Sequence, residues 1–585
     1  MRHPPGRPKD GSLPLGGTAR SAKGAPINGK IGVREPMAGV VYPPAERLQR
    51  YTAAGELGCV SLVEALCASF KDHRERVALY SVEGNYSYAE LDQATDRFAG
   101  ALLALGLRPL DRVLFQSANS VQLLLAVLGC LKAGLIPVST LAGHRESEIS
   151  YIGQHTAARV HIVQGDDAKF DLEAFALRMR ERLPAVRHVI SLRGQARDGV
   201  LRFEDLVAGQ DAAAARAALG AIERDPFQVA VFLLSGGTSG VPKVIPRMHN
   251  DYLLNARRGA EILGFRKEDV MFMPMPMMHN AAMGCVWLPT LLTGAAYAIP
   301  ADMTPQAWGA VFRLASPTWA CFIRALIPRY DAMLEQGYAS SNSVRRYWTP
   351  DAAKLAREKY GKPAIGMFGM SEGLNMYCRS DAPQEALDWT AGTPLSPQDE
   401  VRLIEPGGTR EVGMDEVGEM QCRGPYTISG YYADPQRNAE AFTSDGFYKT
   451  GDLMLRREIQ GKVYYAFAGR TKDIVDRGHE KVNCEEIETA VSTHPAVAGC
   501  AVVGVPDPVL GERIGIYLVL RHGLCAPSVA DLGRHLEAIG LAKFKWPERV
   551  EIIDALPLTE VGKLDKAALR LAIRSRRDPA PADTA

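Results

Sequence analysis

Apolar and polar positions alternate along most of this chain in a recurring two-part pattern. From Tyr51 onward, segments with helical spacing, such as SYAELDQATDRFAGALLALG, are followed by short apolar runs such as DRVLFQ, ARVHIVQG and FQVAVFLLSGG. Helices that alternate with short buried strands are typical of helices packed on a largely parallel sheet. The pattern therefore predicts an α/β fold with helices on mixed, largely parallel sheets.

The pattern changes near residue 470. The stretch GRTKDIVDRGHEKVNCEEIETAVSTHPAVAGCAVVGVPD reads as turn, strand, helix and strand, and this pattern continues to about residue 570. A chain of 585 residues also exceeds what one hydrophobic core usually organises. We therefore predict a large N-terminal domain over residues 46–470 and a small α+β C-terminal domain over residues 471–585, ordered to about residue 570.

The two ends of the chain have a different composition. Residues 1–45 are rich in Lys, Arg, Gly and Pro and have no periodic apolar pattern, and the C-terminal stretch RSRRDPAPADTA is also polar. Such segments cannot bury enough apolar surface to fold. We predict a disordered tail over residues 1–45 and a solvated tail at the C-terminal end.

Charge and cysteine content narrow the class of protein. The net charge is +1 with 23% charged residues, so no strong field recruits nucleic acid or an anionic membrane. The ten cysteines are scattered singly, without a C-x-x-C pair or a zinc-ligand spacing. We expect a cytoplasmic protein with reduced thiols that is a monomer or a homodimer.

The most apolar segment of the sequence is VQLLLAVLGCLKAGLIPV. It is short for a membrane span, and it carries Lys132, two glycines and a proline. These features favour a buried helix that runs into a strand. We therefore expect this segment to lie in the core, and we expect no membrane partner.

A glycine-rich loop follows the apolar run QVAVFLL. In LLSGGTSGVPKVIPRMHNDY, glycines, serines and a threonine come before a single lysine, Lys243. Such loops suit phosphate, because glycine lets backbone N–H groups approach the oxygens and hydroxyls add further donors. The loop is not a Walker A motif, because Lys243 follows Pro242 and precedes Val244. Taken alone, it predicts either a phosphate site or a flexible turn that carries a lysine.

Five further motifs follow this loop along the chain. They are MFGMSEG (367–373), GEMQCRGPYTISGYY (418–432), DGFYKTGDL (445–453), GRTKDIVDRGHEKVNCEEIE (469–488) and LPLTEVGKLDK (556–566). Together with the loop, and in the same order, they resemble the motifs of the adenylate-forming superfamily: acyl-CoA synthetases, firefly-type luciferases and the adenylation domains of peptide synthetases. The resemblance covers residues 46–570 and is closest to the aryl acid-AMP ligases that activate 2,3-dihydroxybenzoate or salicylate.

The resemblance implies a reaction and its partners. ATP would activate an aryl carboxylic acid to an acyl-adenylate and pyrophosphate, and the acyl group would pass to the thiol of coenzyme A or of a carrier protein's phosphopantetheine. Mg²⁺ would accompany ATP, and the ligase would serve secondary-metabolite or siderophore biosynthesis. Such a site must manage negative charge on both reactants, for which preorganised cations and amides are the usual means. In this superfamily the small domain is mobile, and Lys472 matches the hinge position.

The resemblance also assigns residues to the phosphates and the metal. The β- and γ-phosphates would contact Ser235, Gly236, Gly237, Thr238, Ser239, Gly240 and Lys243. Glu372 matches the magnesium ligand, and Ser371 beside it would reach the α-phosphate.

The nucleoside and the catalytic groups are assigned in the same way. Asp452 would accept hydrogen bonds from both ribose hydroxyls, because an ionised carboxylate only accepts, and Arg470 would support the same ribose. Phe368 would be an aromatic wall beside adenine, and Gly369 and Met370 complete the nucleotide set. Lys563 resembles the lysine that bridges the substrate carboxylate and the phosphate. The implied catalytic residues are Lys563, Glu372 and His279.

The acid pocket carries two departures from the aryl-acid branch. His279 and Asn280 match its His-Asn pair, in which the asparagine contacts the ortho hydroxyl of the ring. Ala281 replaces the usual aromatic residue, which implies room for a larger substituted or bicyclic acid, and Cys285 matches salicylate enzymes, whereas dihydroxybenzoate enzymes tend to have serine. The remaining implied substrate contacts are Met367 and Gly373.

A third departure concerns adenine. Between Ser343 and Phe368 the superfamily has a strand and a Gly-Gly-Ala turn against the base, and this shorter stretch is expected to lack both. The departure motivates one alternative, a catalytically impaired ligand-binding homologue. A second alternative is an amide synthetase that passes the adenylate directly to an amine. Among thiol acceptors, His479 favours coenzyme A, because aryl-acid ligases usually have glycine there.

Overall fold

The computed structural model describes residues 31–235, 242–350, 352–477, 480–507, 510–559 and 563–575. Within these ranges, no helix combines the length and the apolar character that crossing a membrane requires. All ten cysteines lie in the described part of the chain as free thiols, and six of them are buried.

Helices cover much of the described chain, and several begin at a side-chain cap. Ser61 and Ser87 accept hydrogen bonds from the backbone N–H groups of Glu64 and Glu90, whose carboxylates accept from the serine N–H groups in return. The α-helices are α1 (Ala45–Ala53), α2 (Leu62–Asp72), α3 (Tyr88–Ala104), α4 (Val121–Lys132), α5 (Glu146–Thr156), α6 (Leu172–Arg182), α7 (Phe203–Ala208), α8 (Ala212–Gly220), α9 (His249–Leu263), α10 (Asn280–Ala282), α11 (Leu288–Thr293), α12 (Pro305–Ala315), α13 (Ile327–Glu335), α14 (Ala353–Tyr360), α15 (Gln384–Trp389), α16 (Pro435–Ala441), α17 (Cys484–Val491), α18 (Val529–Ala538) and α19 (Lys566–Ser575).

Strands are short in the first half of the chain and longer in the second. They are β1 (Val77–Tyr80), β2 (Tyr86–Ser87), β3 (Arg112–Gln116), β4 (Ile136–Val138), β5 (Val160–Gln164), β6 (His188–Leu192), β7 (Leu201–Arg202), β8 (Val229–Ser235), β9 (Lys243–Met248), β10 (Val270–Phe272), β11 (Ala296–Ala298), β12 (Trp319–Cys321), β13 (Arg346–Trp348), β14 (Ala364–Ile365), β15 (Met367–Met370), β16 (Gly373–Tyr377), β17 (Thr393–Pro394), β18 (Glu400–Ile404), β19 (Gly418–Arg423), β20 (Tyr448–Ile459), β21 (Lys462–Arg470), β22 (Ile474–Arg477), β23 (Glu480–Asn483), β24 (Val497–Asp507), β25 (Gly511–Leu520) and β26 (Arg549–Ile552).

Two seven-stranded sheets form the body of the molecule. Their strand orders are β14-β13-β12-β10-β11-β1-β2 and β7-β6-β5-β3-β4-β8-β9. Neighbouring strands are parallel except for β1 with β2 and β8 with β9. Helices connect the parallel strands, as parallel pairing requires. The predicted α/β class with mixed, largely parallel sheets is confirmed.

The most apolar segment forms α4 and then β4, as its composition predicts. Lys132, the last residue of α4, is buried and forms ion pairs with Asp92 at 2.5 Å and Asp96 at 2.6 Å. The partners explain how a lysine is accommodated in the core, because a buried charge requires an opposite charge and hydrogen bonds.

Three smaller sheets follow. β15, β16 and β17 form an antiparallel sheet, as do β18, β19, β20 and β21. The last sheet has the order β23-β22-β25-β24, with β26 parallel to β25, and it has its own core that includes Val475, Ile487, Ile516 and Leu532. The chain therefore has a large N-terminal domain and a small C-terminal α+β domain. The boundary at residue 470 stays a prediction.

Residues 31–44 belong to the predicted tail, and they contain neither helix nor strand. They nevertheless contact the body of the molecule. The Arg34 N–H donates to Asp225 Oδ2 at 2.7 Å, and the Tyr42 hydroxyl donates to Gln228 Oε1 at 2.7 Å. The described part of the tail is therefore held against the start of β8.

The expectation that a strand is missing between Ser343 and Phe368 is wrong. β13 and β14 lie in this interval, and they extend the first seven-stranded sheet beyond β12. Tyr347 and Trp348 are fully buried in β13. A strand of three residues gives no detectable alternation, which is why the sequence pattern does not reveal it.

Candidate active site

The glycine-rich loop connects two antiparallel strands. β8 and β9 pair with Ser235 opposite Lys243, so both residues stand at the mouth of the same loop. The Lys243 ammonium lies 3.1 Å from the Tyr431 hydroxyl and 4.8 Å from the centre of the Tyr431 ring. The Ser235 hydroxyl is buried and has no hydrogen-bond partner among the described residues. The other implied phosphate contacts lie outside the described residues: Gly236, Gly237, Thr238, Ser239 and Gly240.

A buried carboxylate shares the tyrosine partner of Lys243. Glu372 lies in the turn between β15 and β16 and is 6% exposed. The Tyr431 hydroxyl donates to Glu372 Oε1 at 2.9 Å and lies 3.0 Å from the Tyr448 hydroxyl. Burial, and then the Glu372 charge, raise the pKa of Tyr431, so this hydroxyl stays protonated. A neutral hydroxyl therefore joins the cation at the loop to the carboxylate in the turn.

A second buried carboxylate stands on the β20–β21 hairpin. Asp452 is the register partner of Arg470, and Arg470 Nε lies 2.9 Å from Asp452 Oδ1. Burial raises the pKa of Asp452 to about 6, while Arg470 lowers it and Glu372 raises it further. Asp452 is therefore ionised at neutral pH, and its charge depends on the neighbouring guanidinium.

Lys563 approaches this group from the C-terminal domain. Its carbonyl accepts a hydrogen bond from the Thr559 N–H at 2.7 Å. The ammonium lies close enough to His279 and Asp452 to lower the pKa of both groups. The structure thus brings a cation from the small domain to residues of the large one.

His279 serves as a helix cap. Its Nδ1 accepts a hydrogen bond from the Ala281 N–H at 3.2 Å at the start of α10. Burial, and then Lys563, lower the pKa of His279 to about 4, so the imidazole is neutral at neutral pH. The neutral ring therefore caps α10 through the Ala281 N–H and adds no positive charge at neutral pH.

The β15–β16 hairpin presents different groups on its two faces. Strand alternation and register place four side chains or Cα positions on one face: Met367, Gly369, Asn375 and Tyr377. Phe368 points to the other face, where its ring stacks on Phe467 with centroids 6.0 Å apart and planes at 27°. The hairpin therefore separates an aromatic slot from a second, more polar surface.

The second surface faces α9 and the π-helical turn Met283–Trp287. The Tyr252 hydroxyl donates to Asn280 Oδ1 at 2.8 Å, and Asn280 Nδ2 donates to the Met370 carbonyl at 3.4 Å. The Tyr377 hydroxyl is hydrogen-bonded with the Cys285 thiol. Burial raises the pKa of Cys285 to about 11, so the thiol is neutral. The described residues of this surface therefore offer amides, hydroxyls and one protonated thiol.

The remaining implied contacts lie around the same turn. The Ser371 carbonyl accepts from Arg247 Nη1 at 3.1 Å. Gly373 has φ +146°, and a Cβ there would lie 2.4 Å from Thr427 Cα, so only glycine fits. Ala281 is half-buried at the start of α10.

Two family models match the chain over most of its length. The model for the AMP-binding enzyme matches residues 67–432, and the model for the AMP-binding enzyme C-terminal domain matches residues 486–563. The chain belongs to the AMP-binding enzyme family. The first match includes Lys243, Glu372 and Asn280, and the second match ends at Lys563.

Individual AMP-binding enzymes are similar over nearly their whole length. Triostin synthetase I of Streptomyces triostinicus is 37% identical over 88% of this chain and 95% of its own. A 2-hydroxy-7-methoxy-5-methyl-1-naphthoate–CoA ligase of Streptomyces carzinostaticus is 35% identical over 92% of this chain and 97% of its own. The apo structure of Mycobacterium smegmatis MbtA superposes with a TM-score of 0.68 and 34% identity, covering 91% of this chain and 99% of that one.

Several residues of this AMP-binding enzyme site were missed by sequence reasoning. Tyr431 and Tyr448 lie inside quoted motifs, yet nothing in the sequence indicates that they contact Glu372. Asn375 follows MFGMSEG by two positions, so strand alternation from Gly373 could have placed it on the same face. Asn255 is three residues after Tyr252 on α9, a spacing that puts both on one helix face.

Two further residues that the resemblance implies are Lys472 and His479. Lys472 lies in the short 3₁₀ turn Thr471–Asp473 that follows β21. This position, directly before the first strand of the C-terminal sheet, is where a hinge between the domains is predicted. His479 lies outside the described residues.

Proposed function

We propose that this AMP-binding enzyme is a ligase that activates an aryl carboxylic acid with ATP to the acyl-adenylate and then transfers the acyl group to a thiol. The observation that carries the proposal is that Lys563, from the small domain, lies near enough to Asp452 and His279 for its charge to lower the pKa of both, and that Asp452 is in turn influenced by the buried Glu372. Cations and carboxylates from separate elements converge at one place, as a reaction between two anionic reactants requires.

The nucleotide half of the proposal uses the groups around the hairpins. Lys243 and the Ser235 hydroxyl would hold the β- and γ-phosphates at the mouth of the loop, and Ser235 Oγ, which has no hydrogen-bond partner in the part of the chain that the structure describes, fits such a role. Ionised Asp452, oriented by Arg470, would accept from the ribose hydroxyls. The adenine would lie beside Phe368, whose ring already stacks on Phe467. ATP and pyrophosphate are thus bound by this chain's own donors and rings.

The residues around Glu372 fit a magnesium ion held partly by the nucleotide. The described residues contain no group of three or more metal-ligating side chains. Mg²⁺ in nucleotide sites needs only one or two carboxylates together with phosphate oxygens. Glu372 supplies one buried carboxylate, and its charge is close enough to raise the pKa of Asp452. A bound Mg²⁺ would neutralise phosphate charge there.

The acid half of the proposal uses the polar face of the β15–β16 hairpin. Asn280, whose Oδ1 accepts from the Tyr252 hydroxyl, would contact the group ortho to the carboxylate, next to the neutral helix cap His279. The small Ala281 would leave room at the edge of this pocket for a second ring. The Streptomyces carzinostaticus relative, which is a ligase of a substituted naphthoate, supports an acid larger than salicylate.

The thiol acceptor is proposed as coenzyme A or a carrier-protein phosphopantetheine. That relative is a CoA ligase, which supports the first acceptor. For the thioester step, Lys563 would leave the site as the small domain turns about Lys472. Two alternatives make different products: an amide synthetase would need no thiol, and an impaired homologue would bind ligands without turnover.

Exchange of labelled pyrophosphate into ATP tests the proposal. The assay uses the full chain with Mg²⁺ and a panel of salicylate, 2,3-dihydroxybenzoate, anthranilate, hydroxynaphthoates and quinoline carboxylates. We expect acid-dependent exchange with at least one aryl acid. We also expect thioester formation when coenzyme A, or a carrier protein that bears a free phosphopantetheine thiol, is added. Absence of exchange with every acid would favour the impaired homologue, and amide formation without a thiol would favour the amide synthetase.

A further inference from the structure

A relay of amide groups, meaning a chain of hydrogen bonds from one amide to the next, crosses the acid-facing side of the site. Asn375 on β16 and Asn255 on α9 are each 1% exposed. Asn375 Nδ2 donates to Asn255 Oδ1, and Asn255 Nδ2 donates to the Gly284 carbonyl at 2.9 Å. A carbonyl can only accept, so the relay has a fixed direction. Its last atom, Asn375 Oδ1, is therefore an acceptor.

This terminal acceptor has no hydrogen-bond partner among the described residues, although it is fully buried. The rest of the residue is well satisfied, since the Asn375 N–H donates to the Tyr426 hydroxyl and its carbonyl accepts from the Leu395 N–H. Buried polar atoms in folded proteins are nearly always paired, because an unpaired one costs free energy. An incoming donor would remove that cost.

The acceptor lies on the face of the hairpin that borders the proposed acid pocket. A Cβ on Gly369 would lie 2.1 Å from Asn375 Oδ1 and 2.8 Å from Met367 Cε, so both atoms fill the space beside this glycine. Gly369 itself is exposed. Met367 has a flexible side chain that can shift when a ligand enters. A ring lying against Gly369 would thus come next to the acceptor.

A second polar group stands on the same wall. A Cβ on Gly284 would lie 3.0 Å from Asn280 Oδ1 and 3.1 Å from Asn255 Nδ2, so Gly284 separates the two amide systems. Asn280 is held by Tyr252, and Asn375 is held by Asn255. The two asparagines are oriented independently and can contact different positions of one ring system.

We infer that Asn375 is a specificity-determining residue whose Oδ1 accepts a hydrogen bond from a donor on the aryl acid. The donor is a hydroxyl, an amino group or a ring N–H, at a position other than the group that faces Asn280. This inference rests on the proposed function and narrows its substrate class to aryl acids with such a second donor. An acid that places an unprotonated ring nitrogen against Oδ1 should bind less well, because both atoms are hydrogen-bond acceptors.

Pyrophosphate exchange with matched pairs of acids tests the inference. Salicylate is compared with 2,3-, 2,4- and 2,5-dihydroxybenzoate, and 1-hydroxy-2-naphthoate with its dihydroxy counterparts. We expect one donor-bearing acid to exceed its parent by about tenfold in kcat/KM, the effect of one neutral hydrogen bond. In Asn375→Val, the ratio of kcat/KM between the donor-bearing acid and its parent should fall to within about twofold.

Met376→Leu is the matched control, because Met376 is the next residue along β16, is buried and points to the opposite face. The control should keep the donor preference. Exchange by the unmodified enzyme without any donor preference would overturn this inference alone, and that comparison needs no variant to fold. A preference that survives in folded Asn375→Val would also overturn it. Absence of exchange with every acid would overturn the proposed function and this inference with it.

Discussion

At the scale of single residues, the site is a set of buried charges that control each other. Asp452 is 4% exposed and carries a pKa raised to about 6 by burial, against the opposing effect of Arg470. Asp452 is therefore ionised at neutral pH, and its negative charge is lost as the pH falls through about 6. Only the ionised form accepts from both ribose hydroxyls, so ATP binding should depend on pH in this window.

The first prediction concerns that dependence. The KM for ATP should be constant above about pH 7 and should rise by up to about tenfold per pH unit below about 6, as Asp452 is protonated. Arg470→Gln removes the cation that lowers the pKa of Asp452, so the rise should begin at higher pH. Initial rates against ATP concentration from pH 5 to 9 give the pH dependence of KM for the unmodified enzyme and for Arg470→Gln. Arg457→Gln is the control, because Arg457 lies on the neighbouring strand β20 and pairs with Asp415. An identical pH profile in Arg470→Gln and Arg457→Gln would contradict the coupling.

The second prediction concerns the hydroxyl between Lys243 and Glu372. Tyr431→Phe removes the donor to Glu372 Oε1 and the contact with the Lys243 ammonium, and it keeps the ring. We expect kcat/KM for ATP to fall by about tenfold or more, because a hydrogen bond to a charged group is lost. Exchange kinetics measure the loss. Tyr448→Phe leaves the Glu372 contact intact and should cost less, and equal losses in both variants would count against the assigned role.

At the scale of elements, short connections fix where the charged groups stand. The β15–β16 turn presents Glu372, and it is held in place by the close approach of Gly373 to the chain at Thr427. The Ile428 N–H donates to the Glu372 carbonyl at 2.8 Å, so the two segments are also joined by their backbones. A side chain at residue 373 would therefore displace the turn that carries the carboxylate.

The third prediction follows from this contact. Gly373→Ala places a Cβ 2.4 Å from Thr427 Cα and 2.6 Å from the Tyr426 carbonyl oxygen. Backbone must shift, so we expect a lower Tm and a loss of exchange activity greater than about tenfold. Gly407→Ala is the control, because Gly407 also has a positive φ, +78°, but a Cβ there meets nothing within 4 Å. It should cost about 1 kcal/mol and leave activity unchanged. Thermal melts give the Tm of each variant, and pyrophosphate exchange gives its activity. Equal changes in Tm and in activity for Gly373→Ala and Gly407→Ala would contradict the steric account.

The elements also show what the sequence could and could not predict. Long periodic segments such as α3 and α9 and the buried run that becomes β8 have patterns strong enough to read directly. β13 has three residues, Arg346–Trp348, and its strand character comes from pairing with β12, which is remote in sequence. Motifs locate Glu372 and Asp452, but the contacts of Tyr431 and Asn375 depend on tertiary packing. Residue type and spacing can assign such a side chain to one face of a strand or helix, but they do not identify its partner on another element.

At the scale of the whole molecule, the site is divided between the two domains. Lys243, Glu372, Asp452 and Asn280 belong to the large domain, while Lys563 is presented by the small one. The small domain has its own sheet and core, as the predicted turning of this domain as a unit requires. Adenylation should therefore require this arrangement of the domains, and the later transfer to a thiol should not.

The central claim is that Lys563 completes the adenylation site from the small domain. The decisive measurement compares the two half-reactions of Lys563→Ala: pyrophosphate exchange with the preferred aryl acid, and thioester formation from a supplied aryl-adenylate. We expect exchange to fall by about 100-fold or more, because a preorganised cation is lost, and thioester formation to stay within about threefold of the unmodified enzyme.

Lys566→Ala is unsuitable as a control, because Lys566 is paired with Glu488 at 2.7 Å in the small domain. Lys543→Ala, in the short turn Lys543–Lys545, serves instead and should change neither rate. Equal loss of both half-reactions in Lys563→Ala, or unchanged exchange, would contradict the account.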